Sequence, residues 1–259
     1  MKRIAVKIGS NVLTRADGTL DITRMSALAD QVAELHKRGI QIILISSGAV
    51  ASGRSEIKPN HKLDEVSSRQ LYSAIGQAKL MGKYYTLFRE HGIICGQVLT
   101  TKEGLDKEDH YQNQQHCIEV MLSEEVIPIV NENDTLSITE LMFTDNDELS
   151  GLMAEMMKVD MLIILSNIDG IYDGNPSSPG SKVIRSIKLD HDEDDLIQYI
   201  QSEKSSLGRG GMQTKCHIAC SVAKKGIPVI IANGKNENIL LHLIDRPSET
   251  ICTLFHSNK

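Results

Sequence analysis

The sequence is poor in aromatic residues, with no Trp, three Phe and six Tyr among 259 residues. Its core must therefore consist mainly of aliphatic side chains and Met. Few rings are available to stack on nucleobases. The formal net charge is −6 at pH 7, whereas a nucleic-acid surface needs clustered positive charge. We therefore expect no nucleic acid among the partners.

Cysteine and long apolar segments are also scarce. There are five Cys and no C-x-x-C pair, which argues against a disulfide framework and against a zinc site. Cys216 and Cys220 share one face of a predicted helix and are interpreted as core thiols. The nine His show no metal-ligand spacing, so no protein-bound metal is predicted. No apolar segment is long enough to be a signal or to span a membrane, so we expect a cytoplasmic protein without membrane contact.

Apolar segments alternate with segments of helical periodicity along the whole chain, which predicts an α/β fold. We expect a three-layer α/β/α sandwich with a largely parallel central sheet, forming a single domain over residues 1–259. Strands are predicted at residues 4–8, 40–45, 93–99, 126–130, 161–165, 227–232 and 250–255. Helices are predicted at 22–38, 65–91, 109–124, 145–157, 196–200, 212–225 and 239–244, the second of them with a break near Gly76 or Gly82.

Two polar clusters bracket a short segment at residues 131–151. The first, NEND at 131–134, follows a predicted buried strand, and open α/β sheets bind ligands at the carboxyl ends of their strands. The second, DNDE at 145–148, opens a predicted helix. Taken alone it is better explained as a capping box of Asp145 with Glu148. The pair of clusters nevertheless favours a ligand site.

A glycine-rich stretch, GRGGMQTK at 208–215, precedes another helix. It matches neither G-x-x-x-x-G-K-[ST] nor G-x-G-x-x-G, but backbone N–H groups before a helix form an anion site. If the helix begins near Met212, Lys215 lies in its first turn. A cation there opposes the helix dipole by ~0.3–1 kcal/mol, which a bound phosphate would offset. A mobile loop with a solvated lysine is the equally weighted alternative.

Lys7 and Ser47 stand at the ends of the first two predicted strands. Small residues follow both, Gly9-Ser10 after Lys7 and Gly48 after Ser47, and they would let a phosphate approach the backbone. The alternatives are a solvent-facing lysine on an edge strand and a serine that only caps a turn. No His lies in a Ser/His/Asp or Cys/His arrangement. A carboxylate nucleophile is already ionised at neutral pH, so lysines that neutralise phosphate charge would be enough for phosphoryl transfer to it.

Five motifs in order make the chain resemble the amino acid kinase family. They are VKIGSNVLT at 6–14, SSGAVASG at 46–53, PIVNENDT at 128–135, DNDELSG at 145–151 and GRGGMQTK at 208–215. Their combination is typical of the branch that acts on glutamate, rather than on aspartate, acetylglutamate, carbamate or uridylate. The resemblance implies ATP- and Mg²⁺-dependent phosphorylation of the L-glutamate γ-carboxylate to L-glutamyl 5-phosphate, the first step of proline biosynthesis. It also implies a homodimer or homotetramer.

The resemblance further implies the roles of particular residues. The catalytic residues would be Lys7, Lys215 and Asp147, and the glutamate site would include Ser47, Asp134 and Asn146. The ATP site would include Lys7, Ser166, Asn167, Arg209, Gly210, Gly211, Met212, Gln213, Thr214 and Lys215. Two features depart from the family pattern. Asn167 replaces a common Asp, and no C-terminal RNA-modification-type (PUA) domain is expected.

Two other functions agree with the sequence. The first is that of a kinase of the same family with a different acceptor, and the second is that of a non-catalytic sensor that binds an amino acid. The joint presence of Lys7, Lys215 and Asp147 argues against a sensor, because a sensor has no need to stabilise phosphoryl charge.

Overall fold

The computed structural model describes residues 1–136, 146–188 and 211–257. The strands are β1 (Arg3–Ile8), β2 (Gln41–Ser46), β3 (Cys95–Thr100), β4 (Ile127–Glu132), β5 (Met161–Ser166), β6 (Ser186–Ile187), β7 (Val229–Asn233) and β8 (Thr253–Phe255). The helices are α1 (Ser10–Leu13), α2 (Ile22–Lys37), α3 (Ala49–Arg54), α4 (Glu65–Glu90), α5 (Lys102–Leu105), α6 (Glu108–Ser123), α7 (Asn146–Met156), α8 (Met212–Lys224) and α9 (Ile239–Asp245).

The strands form one sheet in the order β3-β4-β2-β1-β5-β7-β8-β6. All neighbours from β3 to β7 are parallel, β8 is antiparallel to β7, and β6 is parallel to β8. The inner strands are apolar along nearly their whole length because helices cover both faces of the sheet. The prediction of a largely parallel sheet is confirmed.

Two hydrophobic clusters lie on opposite faces of this sheet. On β1 the alternate residues Ile4, Val6 and Ile8 join the cluster formed with α2, α4 and α9. Ala5 points the other way, into the cluster formed with α6, α7 and α8. Because side chains alternate along a strand, Lys7 emerges on the same face as Ala5. The three-layer arrangement is therefore confirmed.

The chain order reverses around β1. The chain places β2, β4 and β3 on one side of β1 and then β5 and β7 on the other side. The connections that follow β1 and β5 therefore leave in opposite directions, and a crevice forms between them at the carboxyl edge. This is the position at which the sequence places its polar motifs.

Several boundaries differ from the prediction. β4 continues through Asn131 and Glu132, which are polar but buried, so the apolar pattern alone ended the strand too early. The break that we expected near Gly76 or Gly82 is absent, because α4 runs continuously from Glu65 to Glu90. A β-carbon on Gly76 would lie 1.8 Å from the carbonyl oxygen of Ala49, so this glycine serves close helix packing. The short β6 was not predicted.

Some predicted features fall outside the described residues. These are the cap at Asp145, the helix at 196–200, and Arg209 and Gly210 of the glycine-rich stretch. Over the ranges that the structure does describe, no helix is both long enough and apolar enough to cross a membrane.

Candidate active site

Ser47 and Gly48 connect the end of β2 to α3. Gly48 has φ +109°, a backbone conformation that residues with a β-carbon rarely adopt. A β-carbon there would also approach Leu20 Cδ1 to 3.3 Å. Gly48 thus allows a sharp turn that leaves Ser47 at the carboxyl edge of the sheet. The absence of a side chain at Gly48 is what this turn requires.

A carboxylate between two lysines lies at this edge. Asp147, in the first turn of α7, has no exposed surface. One of its oxygens forms an ion pair with Lys7, and the other accepts a hydrogen bond from Lys215 Nζ at 2.9 Å. The Lys7 side chain is 5% exposed and that of Lys215 is 11% exposed. The three residues assigned to catalysis by the resemblance are therefore in direct contact.

The surroundings of Lys7 decide between the two interpretations of this residue. β1 pairs with β2 on one side and with β5 on the other. The interpretation of Lys7 as a solvent-facing residue of an edge strand is therefore wrong. Holding a buried lysine charged requires a counter-charge nearby, and Asp147 supplies one.

These three side chains together carry one net positive charge. Lys215 lies in the first turn of α8, which begins at Met212 as predicted and is preceded by Gly211. The amino end of that helix adds partial positive charge. Gly211, Met212, Gln213 and Thr214 thus all lie at this end. An anion such as a phosphoryl group would be stabilised here.

A polar cleft of about 190 Å³ opens beside this cluster. It is lined by Ser10, Ser47, Gly48, Ala49, Val50, Ala51, Arg69, Asn131, Glu132, Asp134 and Asn146. Asn146 Nδ2 lies within 2.9 Å of both Ser47 Oγ and Asn131 Oδ1, and it donates to them. Asn131 Nδ2 in turn donates to Gln77 Oε1 at 3.0 Å. The predicted residues Ser47 and Asn146 are therefore in direct contact, Asn131 holds Asn146 from a second side, and Asn146 is the neighbour of Asp147 in the sequence.

Asp134, also predicted, contacts a residue that sequence reasoning missed. Arg69 on α4 donates from Nε to Asp134 Oδ1 at 2.7 Å and from Nη2 to Glu132 Oε2 at 3.1 Å. Both carboxylates are largely buried, with 7% and 4% of their residue surface exposed. Glu132 was noticed only as part of a polar cluster. Arg69 has no local signal, because its role comes from packing of α4 against the end of β4.

The remaining predicted residues follow β5. Ser166 is buried at the strand end, where its carbonyl accepts from Gly234 N at 2.8 Å, and Asn167 is exposed. Gly9 N donates to the carbonyl of Leu165 at 3.1 Å, so the connection after β1 reaches the end of β5. Asp169 was not predicted; it accepts hydrogen bonds from Asn233, Asn236 and Tyr172. It thereby ties the loop after β5 to the loop after β7.

The sequence of this chain matches a known protein family. A sequence model described as "Amino acid kinase family" matches residues 2–233. The chain belongs to the amino acid kinase family. Membership in this kinase family implies ATP as the phosphoryl donor.

Two relatives of this kinase carry the name glutamate 5-kinase. The protein from Bacteroides thetaiotaomicron is 67% identical over 253 residues, covering 98% of this chain and 69% of the relative. The protein from Chlorobaculum tepidum is 46% identical over 239 residues, covering 92% of this chain and 65% of the relative. The chain thus spans about two thirds of the length of these curated relatives.

A solved structure supports the fold independently. Carbamate kinase from Giardia lamblia, bound to AMP-PNP, aligns with a TM-score of 0.69 over 99% of both chains. The two sequences are only 15% identical, so this likeness concerns the fold alone.

Proposed function

We propose that this amino acid kinase is a glutamate 5-kinase, which transfers the γ-phosphoryl group of ATP to the γ-carboxylate of L-glutamate. The observation that carries the proposal is the contact of Lys7, Asp147 and Lys215 beside a polar cleft that contains both acidic and amide groups. The relatives that carry the name glutamate 5-kinase support the choice of glutamate. The product would be L-glutamyl 5-phosphate, and the step would be the first of proline biosynthesis.

The reaction needs no general base. An oxygen of the γ-carboxylate, ionised at neutral pH, attacks the γ-phosphorus of ATP. A new O–P bond forms while the bond between that phosphorus and the β,γ-bridging oxygen breaks, and ADP takes the electron pair. Catalysis then consists of alignment and of stabilising charge on the transferred group. This agrees with a site in which Lys7, Lys215 and Asp147 lie beside a cleft with Arg69, Glu132 and Asp134, and in which no His-based triad is found among the described residues.

Lys7 and Lys215 are the residues that would stabilise the transferred phosphoryl group. Their ammonium groups lie on either side of one carboxylate and come from different elements, β1 and α8. Asp147 would hold both lysines charged and oriented, and its position without solvent contact suits that role. Preorganised charge of this kind acts without rearrangement during the reaction.

ATP would lie along the ends of β1 and β5. Ser166, Asn167 and the start of α8 with Gly211, Met212, Gln213 and Thr214 would bind the nucleotide, together with Arg209 and Gly210, which lie outside the described residues. Mg²⁺ would enter as the MgATP complex, held largely by the phosphates. Among the described residues, no group of three His, Cys, Asp or Glu is arranged to hold a metal ion.

L-Glutamate would occupy the cleft beside Asn146. Ser47 and Asn146 would donate hydrogen bonds to its carboxylates, and Asp134 would pair with its ammonium group. The contact between Asn146 and Ser47 and the burial of Asp134 support this assignment. A homodimer or homotetramer, a single domain and a cytoplasmic location stay predictions from the sequence.

A hydroxylamine trap tests the proposal. The purified protein is incubated with ATP and Mg²⁺, and with L-glutamate, L-aspartate or N-acetylglutamate in separate tubes, and the acyl phosphate is captured as a coloured hydroxamate. We expect hydroxamate with glutamate alone. Release of ADP without hydroxamate would indicate a different acceptor. Absence of ADP with every acceptor, from folded protein, would favour a sensor.

A further inference from the structure

Arg69 is a charged residue of the cleft to which sequence and comparisons assign no role. It comes from the second turn of α4, and its side chain is 25% exposed. Among the described residues that line the cleft, it is the one basic side chain. Its contacts therefore decide which charge the cleft presents to a ligand.

One nitrogen of Arg69 contacts both acidic residues of the cleft. Nη2 lies 2.5 Å from Asp134 Oδ1 and 3.1 Å from Glu132 Oε2, while Nε lies 2.7 Å from Asp134 Oδ1. Two largely buried carboxylates at one point repel each other, and a shared cation favours the ionised form of both. Two carboxylates at one point of the cleft would attract the positive charge of a substrate ammonium group.

We propose that Arg69 is a positioning residue for the α-ammonium group of the substrate. It holds Asp134 and Glu132 ionised and oriented, so the cleft accepts an amino acid in preference to a dicarboxylate that lacks an amine. The proposal rests on the proposed function, because it assigns the specificity of that same site.

The alternative is that Arg69 binds the α-carboxylate of the substrate directly. To do so, Arg69 would have to move its guanidinium away from Asp134 and Glu132. Breaking these contacts to two largely buried carboxylates is costly. The helix that carries it is also held in place. Gln70 Nε2 donates to the carbonyl of Thr135 at 3.0 Å, and Gln77 accepts from Asn131. These contacts favour an arginine that stays with its acidic partners.

The planar guanidinium is central to this role. Its nitrogens meet two carboxylates in fixed directions, whereas a lysine ammonium is a point charge on a flexible stem. Arg69→Lys should therefore retain the charge balance and part of the function. Arg69→Met should lose both. Arg89→Met is the matched control, since Arg89 is an exposed arginine on the same helix.

The first readout separates binding from turnover. In Arg69→Met we expect the KM for glutamate to rise about tenfold or more, while kcat and the KM for ATP change less than about threefold. Arg69→Lys should fall between Arg69→Met and the wild type, and Arg89→Met should match the wild type. An unchanged glutamate KM in Arg69→Met would overturn the proposal.

The second readout identifies the group that Arg69 serves. Inhibition constants against glutamate are measured for 4-aminobutanoate, which keeps the ammonium and one carboxylate, and for glutarate, which lacks the ammonium. Arg69→Met should weaken 4-aminobutanoate about tenfold or more and leave glutarate within about threefold. Weaker glutarate with unchanged 4-aminobutanoate would mean that Arg69 binds a carboxylate, and the proposal would be wrong.

Separate measurements test the two proposals. Hydroxamate formation by the wild type tests the glutamate 5-kinase activity, and only the Arg69 variants test the positioning role. Circular dichroism checks that each variant is folded. If Arg69→Met is unfolded, Arg69→Lys carries the test with the same two inhibitors, and wild-type constants for both inhibitors in that variant would overturn the proposal.

Discussion

Asp147 accepts a hydrogen bond from Lys215 at 2.9 Å, although 68 residues separate the two in the sequence. The contact joins the first turn of α7 to the first turn of α8, and Lys7 of β1 completes the cluster from the other side. Three elements therefore meet at one carboxylate at the carboxyl edge of the sheet. A substitution of one of these three residues should therefore affect the positions of the other two side chains.

Replacing Lys215 by Ala should remove one of the two cations that face the transferred phosphoryl group. We expect kcat to fall about 10²- to 10³-fold, the usual loss when one preorganised group that stabilises transition-state charge is removed. Glutamate binding should be nearly unaffected, because the cleft with Ser47 and Asp134 is formed without Lys215. Steady-state kinetics with varied glutamate measure both quantities.

Lys225→Ala is the control for that change. Lys225 follows the same helix, is exposed, and pairs with Glu155 at 2.7 Å. Surface pairs contribute about 0–1 kcal/mol, so activity should be unchanged. If Lys215→Ala kept a tenth or more of the wild-type kcat, the lysine would not serve the transferred group.

Asp147→Asn should lower the stability of the protein and increase the stabilisation that ATP provides. The substitution keeps the shape of the side chain but removes the negative charge between Lys7 and Lys215, and breaking a buried pair costs about 3–5 kcal/mol. The phosphates of ATP would then supply the missing negative charge. ATP should therefore raise the Tm of this variant by more than it raises the Tm of the wild type.

Thermal melts with and without ATP measure this difference, with Asp109→Asn as control. Asp109 is an exposed acid in the first turn of α6, where its loss costs about 0.3–1 kcal/mol. Equal shifts by ATP in the wild type and in Asp147→Asn would show that the phosphates do not approach the two lysines.

The fold could be predicted because the strands that form the middle of the sheet are apolar on both faces. β2 and β5 stand out as short apolar runs between helices, and β1 is a similar run before the first helix. This pattern is typical of parallel sheets. Polar residues inside a strand defeat the same rule. Asn131 and Glu132 continue β4 because side chains of α4 satisfy them, and no local pattern reveals those partners.

The site could be predicted in part, for a similar reason. Lys7, Asp147 and Lys215 lie in short motifs of glycine, serine and acidic residues, which are unusual enough to be noticed one by one. Arg69 lies in SSRQL, an ordinary helix surface in sequence terms. Its role becomes visible only in the fold, where α4 brings Arg69 to the end of β4. Residues that act through tertiary contacts alone need the structure.

The cysteines should differ sharply in reactivity. Burial raises the pKa of the Cys95 thiol to about 11, so at pH 8 its reactive thiolate is on the order of 10⁻³ of the total. Cys117 on α6 is exposed. Iodoacetamide at pH 8 should therefore modify Cys117 first, and mass spectrometry of the peptides identifies the site. Rapid labelling of Cys95 in a Cys117→Ser variant would mean that β3 opens from the edge of the sheet.

Two glycines of α4 should respond oppositely to the same substitution. A β-carbon on Gly76 would lie 1.8 Å from the carbonyl oxygen of Ala49 and 2.4 Å from the nitrogen of Gly53, whereas one on Gly82 would meet nothing within 4 Å. Gly82→Ala should stabilise the protein by about 0.5–1 kcal/mol, because alanine favours the helix. Gly76→Ala should destabilise it by about 3 kcal/mol, because backbone atoms cannot move aside cheaply.

Urea unfolding measures both changes as shifts of the midpoint at constant slope. The consequences for the active site should differ as well. α3 begins directly after Ser47 and Gly48, so a displacement of α3 by Gly76→Ala would move Ser47 away from Asn146. The KM for glutamate should then rise in Gly76→Ala and stay at the wild-type value in Gly82→Ala. A Gly76→Ala variant as stable as Gly82→Ala would contradict the close crossing of α3 and α4, because that crossing leaves no room for a methyl group.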